Sequence, residues 1–143
     1  MKFIIKIIII FFFVLTTFTS ANENYFSKAK ELFEKGKYED SKFLFQRSIV
    51  FNPKHSKSYL YLAKIYNTEE NEIEEIKNLN TTLLLEPDNE EATYLLIKIE
   101  LKRSNFSQVK ELRNNLKSIC LLLCEKIISI NKRLDEIEAK NES

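Results

Sequence analysis

Along most of the chain, apolar residues recur at steps of three and four, the spacing of one face of an α-helix. The pattern is clearest in the last third. Val109, Leu112, Leu116, Ile119, Leu123, Ile127, Ile130, Leu134 and Ile137 follow one another at steps of 3, 4, 3, 4, 4, 3, 4 and 3. Cys120, Leu121, Leu122, Cys124 and Ile128 widen this stripe, and no Pro or Gly follows Pro87. The pattern therefore predicts one continuous helix from about 105 to 139, in preference to a break near 118 followed by a capping helix. Upstream, turn residues interrupt the periodicity and predict helices near 23–35, 38–51, 56–67, 70–85 and 90–102, with a sixth starting near Asn105. The start of the chain differs. Met1-Lys2 precedes an almost unbroken apolar run from Phe3 to Leu15, interrupted by Lys6 and followed by Thr16, Thr17, Phe18, Thr19, Ser20 and Ala21. Basic start, apolar middle and small-residue end are the parts of a secretory signal over residues 1–21, cut before Asn22. The alternative is an uncleaved N-terminal anchor.

The two prolines, Pro53 and Pro87, stand 34 residues apart. Aligned on them, the rest divides into units 22–55, 56–89 and 90–120, leaving 121–143 as a capping or coiled-coil helix. Tyr25 and Tyr59 occupy the fourth position of a unit, Ala29 and Ala63 the eighth. Tyr66 falls at position 11, Ser41 at 20, Phe45 at 24 and the two prolines at 32. The stretch Glu34-Lys35-Gly36-Lys37-Tyr38-Glu39-Asp40 falls between the two helices of the first unit. These residues resemble the tetratricopeptide repeat over roughly residues 22–120. Glu75 departs from it where a small residue is usual, and so do Thr93, Ile97 and Arg113. The resemblance implies an all-α, helix-turn-helix solenoid of about three repeats, here followed by the C-terminal helix. Small residues at positions 8 and 20 let paired helices approach, and Pro closes the second helix. One unit cannot bury its apolar face alone, so stacking supplies the core.

Composition narrows the function. One Gly and two Pro are too few for a turn-rich β fold. Net charge is +1 over the whole chain and falls by two without residues 1–21, which hold Lys2 and Lys6. That balance is not the basic footprint of a nucleic-acid binder. No phosphate loop, HExxH or CxxC pattern occurs, and the single histidine, His55, has no local spacing for a triad. No catalytic residue, metal site or cofactor is therefore expected. The acidic run Glu69, Glu70, Glu72, Glu74 and Glu75 reads as a solvated helix start favoured by the helix dipole. Cys120 and Cys124, four apart, are expected as buried free thiols, because parallel Cβ atoms on one helix do not meet the geometry of a bridge. A bridge between two chains is the rival reading.

Lys30, Lys64 and Lys98 lie 34 apart at the ninth position of the three units. Phe26, Leu60 and Tyr94 stand at the fifth position, and Phe33, Asn67 and Leu101 at the twelfth. The family resemblance implies that these positions line a concave groove for peptides. The nine residues would form a lysine ladder between apolar shelves, suited to a segment with acidic and apolar residues. Lysine is abundant here, so a chance column is the competing reading. The family's carboxylate clamp does not carry over, since Tyr61 stands where it would need Asn. The expected function is a non-enzymatic protein-interaction module, a periplasmic scaffold or assembly factor of an envelope complex. The alternatives are an inner-membrane-anchored adaptor and a non-catalytic regulatory subunit of an envelope enzyme. Membrane contact is expected only if the N-terminal segment stays attached. Leu123, Ile127, Ile130, Leu134 and Ile137 are the expected face for a homo-oligomer.

Overall fold

The computed structural model describes residues 24–141; the expected signal, residues 1–21, lies outside them. Every element in the described residues is an α-helix. They are α1 (24–34), α2 (Tyr38–Phe51), α3 (Ser56–Thr68), α4 (Glu72–Leu85), α5 (Glu90–Lys102), α6 (Phe106–Ile119) and α7 (Cys124–Asn141). None is long and apolar enough to cross a membrane. The chain forms two compact units, one ending at Glu75 and the other beginning at Ile76.

The 34-residue period is written into the backbone more faithfully than into the side chains. The turns after α1, α3 and α5 each carry one left-handed residue: Gly36 (φ 72°), Glu70 (φ 57°) and Ser104 (φ 59°). Each turn is closed by the same pair of bonds. Lys37, Asn71 and Asn105 donate N–H to the carbonyls of Leu32, Tyr66 and Glu100, and Gly36, Glu70 and Ser104 donate to Phe33, Asn67 and Leu101. This is the Schellman pattern that satisfies orphan carbonyls at a helix end. Glycine meets the left-handed requirement at low cost; the second and third repeats meet it with Glu and Ser. The turn at Glu70 also explains why α4 begins at Glu72 rather than 70. Asn71 precedes the helix, and its side chain accepts the Glu74 N–H at 3.2 Å.

The ends of α2, α4 and α6 keep the period too. Asn52, Glu86 and Cys120 each donate N–H four residues back, to Ser48, Thr82 and Leu116. Proline follows in the first two cases and Leu121 in the third.

In the first unit, Ala29, Phe45, Leu62 and Ile65 form the buried core, flanked by Phe26, Phe33, Leu44, Ile49, Tyr61 and Tyr66. Ala29 and Ser41 are both fully buried, and the Ser41 hydroxyl donates to the Ala29 carbonyl at 2.8 Å. Two small residues thus let α1 and α2 approach, and the hydroxyl has a partner, as a buried polar group needs. Lys42 donates to both Glu69 carboxylate oxygens at 2.8 and 2.9 Å. The hydrogen bond to Glu69 raises the Lys42 pKa against a smaller effect of desolvation. Glu75, the departure at position 20, is buried and accepts from the Asn67 side chain at 3.2 Å. The acidic run is therefore not a uniformly solvated face: Glu69 is paired and Glu75 is buried.

In the second unit, Ile97, Val109, Leu116, Ile130 and Leu134 form the core, with Tyr94, Leu101, Phe106, Leu112, Cys120 and Ile127 packed against it. The expected continuous helix over 105–139 is not formed. α6 ends at Ile119, Cys120 takes an extended conformation (φ −64°, ψ 136°), and α7 starts at Cys124. The chain folds back, so Val109 and Leu116 of the long stripe meet Ile130 and Leu134 of the same stripe. The expected buried thiols are also corrected. Cys120 and Cys124 are disulfide-bonded, with Cα atoms 5.2 Å apart. The objection to a bridge held for a helix, and residues 120–123 are not helical.

Candidate functional site

The helical register sets the geometry of the first-unit surface. On α1, Phe26, Lys30 and Phe33 lie at i, i+4 and i+7 and so share a face. Phe26 and Phe33 are half-buried and Lys30 is exposed. On α3, the structure exchanges two roles. Leu60 is buried at 6% exposure, so it is a core residue and not the apolar shelf expected of it. Its neighbour Tyr61 takes that place. The Tyr61 ring lies 5.8 Å from Phe26 and 5.2 Å from Phe33 in edge-to-face contacts, and stacks on Phe45 at 5.0 Å. Such aromatic geometries are favourable beyond the area they bury. In the sequence, Tyr61 stands out only as the residue in place of the clamp's Asn. Its aromatic character opposite Phe26 and Phe33 was the available signal.

The cations sit around this platform. Lys64 Nζ lies 4.6 Å from the Tyr61 ring centroid, a cation–π distance. Lys30 Nζ is 3.7 Å from a Glu34 carboxylate oxygen in an exposed i, i+4 pair. Pairs of that kind contribute about 0.3–0.5 kcal/mol and yield readily to a competing carboxylate. Asn67 is exposed, with its amide turned to Glu75. His55 borders the cluster. Its ring meets Phe26 edge-on at 4.6 Å, and Nδ1 is 2.8 Å from the Ser58 hydroxyl, which donates in turn to Ser48 at 3.0 Å. The histidine is thus held between an aromatic ring and a buried hydroxyl chain.

In the second unit, Tyr94 and Leu101 are half-buried against the core, and Lys98 is exposed between them on α5. The same i, i+4, i+7 face therefore recurs: aromatic, lysine, apolar. The expected oligomer face fares differently. Ile130 and Leu134 are buried at 3% and 4% exposure, inside the core of their own chain. Leu123, Ile127 and Ile137 are partly covered. The stripe is used within the chain because α7 turns back on α6, and it does not present the continuous face that a coiled coil requires. Between Cys120 and Asn141, the large apolar residues that stand exposed are Leu121 and Leu122 in the turn and Ile128 on α7.

No protein-family model and no curated protein sequence matches the chain. Solved structures do. A crystal structure of the type III secretion chaperone SycD of Yersinia enterocolitica, in complex with a peptide of the translocator YopD, matches with a TM-score of 0.71. Identity is 16%, over 83% of this chain and 93% of that one. The TPR2B domain of yeast Sti1, in a structure described as a pHsp70 complex, matches with a TM-score of 0.72 at 13% identity, over 82% and 98%. PcrH in complex with the chaperone-binding region of PopD matches with a TM-score of 0.68 at 11% identity, over 83% and 92%. The fold is an all-α, tetratricopeptide-like helical solenoid.

Proposed function

We propose that the protein is a non-enzymatic peptide-binding module that receives a segment carrying acidic and apolar residues on the inner-helix faces of its repeats. The observation that carries this reading is the cluster of Phe26, Phe33 and Tyr61 with Lys64 over the Tyr61 ring and Lys30 beside it. Rigid aromatic edges give a partner's apolar side chains a surface to bury, and the lysines supply charge for its carboxylates. Tyr94, Lys98 and Leu101 repeat the arrangement on α5. The similar structures of SycD, Sti1 and PcrH are described as complexes with a YopD peptide, with pHsp70 and with a region of PopD, which supports a segment of protein as the ligand class. A binding rather than catalytic role is supported by those same descriptions, which are of a chaperone and of complexes with partner segments.

The reading places the module outside the cytoplasm, as a scaffold or assembly factor of an envelope complex. Its support is the secretory pattern of residues 1–21, together with a disulfide of the kind that persists in oxidising compartments. Export predicts a mature chain beginning at Asn22 and recovered without detergent; full-length chain confined to the membrane fraction would make it an anchored adaptor. The binding test is capture from the native envelope by wild type and by Lys30→Ala/Lys64→Ala/Lys98→Ala side by side, followed by titration of the captured partner's segment. The variant should bind more weakly, with the larger loss at low salt, since exposed charges are screened over about 8–10 Å at physiological strength. Equal affinity for the same partner would assign the lysine column to chance.

A further inference from the structure

We infer that the Cys120–Cys124 disulfide is a redox latch that holds α7 folded back on α6, and that its reduction lets α6 and α7 join into one helix. Three observations meet in the turn. The first is the missing proline. α2 and α4 end at Asn52-Pro53 and Glu86-Pro87, where proline cannot continue a helix. α6 ends at the equivalent place with Cys120-Leu121. Leucine is among the best helix formers, and nothing in Leu121-Leu122-Leu123 stops a helix. The second is the bridge itself. On a continuous helix the Cβ atoms of residues four apart are about 5–6 Å apart, whereas a disulfide needs them near 3.8 Å. The bridge and an uninterrupted helix therefore exclude each other. The third is the stripe, whose steps of three and four continue through the break, with two successive fours at Leu123, and so keep Val109 to Ile137 on one helical face.

A second clasp helps to close the turn. The Glu90 carboxylate accepts backbone N–H bonds from Leu121, Leu122 and Leu123 at 2.7 to 3.2 Å. These are amide groups that a continuous helix would turn toward its own carbonyls. Burial of Ile130 and Leu134 also favours the folded-back form, so reduction shifts a population and leaves both forms present. Cys124 is exposed and Cys120 half-buried, which gives a reductant access. The reductant is a dithiol. Its thiolate attacks one sulfur of the bridge and displaces the other cysteine as thiolate, giving a mixed disulfide. Its second thiol then releases the first cysteine. Two electrons pass to the protein, both cysteines end as thiols, and the reductant ends as a disulfide.

The test is a distance measurement by double electron–electron resonance. Spin labels are attached through ketone-bearing residues placed at Lys110 and Asp135, so that no cysteine is added. In the oxidised protein these two positions line one cavity between α6 and α7, and a single short distance is expected. In a continuous helix their 25-residue separation spans about 37 Å at 1.5 Å per residue. Excess dithiothreitol should produce a population near that distance. Cys120→Ser/Cys124→Ser should show it without reductant, and reoxidation of the wild type should remove it. Leu121→Pro restores the stop used by the other two repeats and should stay short when reduced. A short distance that persists in both the fully reduced wild type and the double serine variant overturns the inference.

Discussion

The three left-handed turn residues make a thermodynamic series with opposite signs. Gly36→Ala places a Cβ in a conformation that costs an L-residue roughly 1–2 kcal/mol. It also reduces the freedom of the unfolded chain, which offsets about 0.4–1 kcal/mol. No steric contribution enters, because a Cβ at Gly36 meets no heavy atom within 4 Å. The net loss is about 0.5–1 kcal/mol. Glu70→Gly and Ser104→Gly run the same cycle in reverse at exposed positions, and each should gain a similar amount. Urea titrations followed by helical circular dichroism measure all three, with stability read from the midpoint at constant slope. The expected order is Gly36→Ala below wild type, with both glycine variants above it. A Gly36→Ala protein as stable as wild type, or glycine variants that both fall below it, would refute the argument that one backbone conformation, not one residue, defines these turns.

The remaining predictions concern the second unit. Desolvation raises the Glu90 pKa, but N–H bonds from Leu123, Leu121 and Leu122 together outweigh it and hold the pKa below the usual carboxylate value. Its contribution is therefore fully present above an unfolded pKa near 4.3 and lost as pH falls through the lower folded value. Hydrogen exchange at Leu121–Leu123 should lose protection over that acid window, and Glu90→Gln should lack the transition. Leu134→Ala, at a buried position, should cost about 2–5 kcal/mol and leave the sedimenting mass unchanged. A lighter species in place of a lower melting temperature would mean that α7 packs on a second chain.

Much of the helical plan is legible in the sequence because its punctuation is chemical. Pro53 and Pro87 end α2 and α4, Gly36 sits in the first turn, and Ala29 with Ser41 marks a close helix pair. The turns at Glu70 and Ser104 are hidden because residues with no preference for positive φ are forced there by the repeat. The break after Ile119 is hidden for a stronger reason. Local propensity across Leu121-Leu122-Leu123 favours helix, and what opposes it is a covalent bond and a carboxylate 31 residues upstream. The face proposed for recognition follows in register from the repeat positions of Phe26, Lys30, Phe33 and Lys64. Tyr61 and Leu60 were interchanged because adjacent residues on a helix differ by about 100° in direction, and only packing decides which of them turns inward.

The central claim, that the inner face of α1 and α3 receives a protein segment, is tested most directly by photo-crosslinking in the native cell. Benzoylphenylalanine replaces Phe33, an aromatic exchanged for an aromatic, and in a separate variant replaces the exposed Val50 on α2. The account predicts a discrete protein adduct from position 33, weakened when Lys30 and Lys64 are changed to Ala, and none from position 50. Adducts from position 50 with none from position 33 would contradict it.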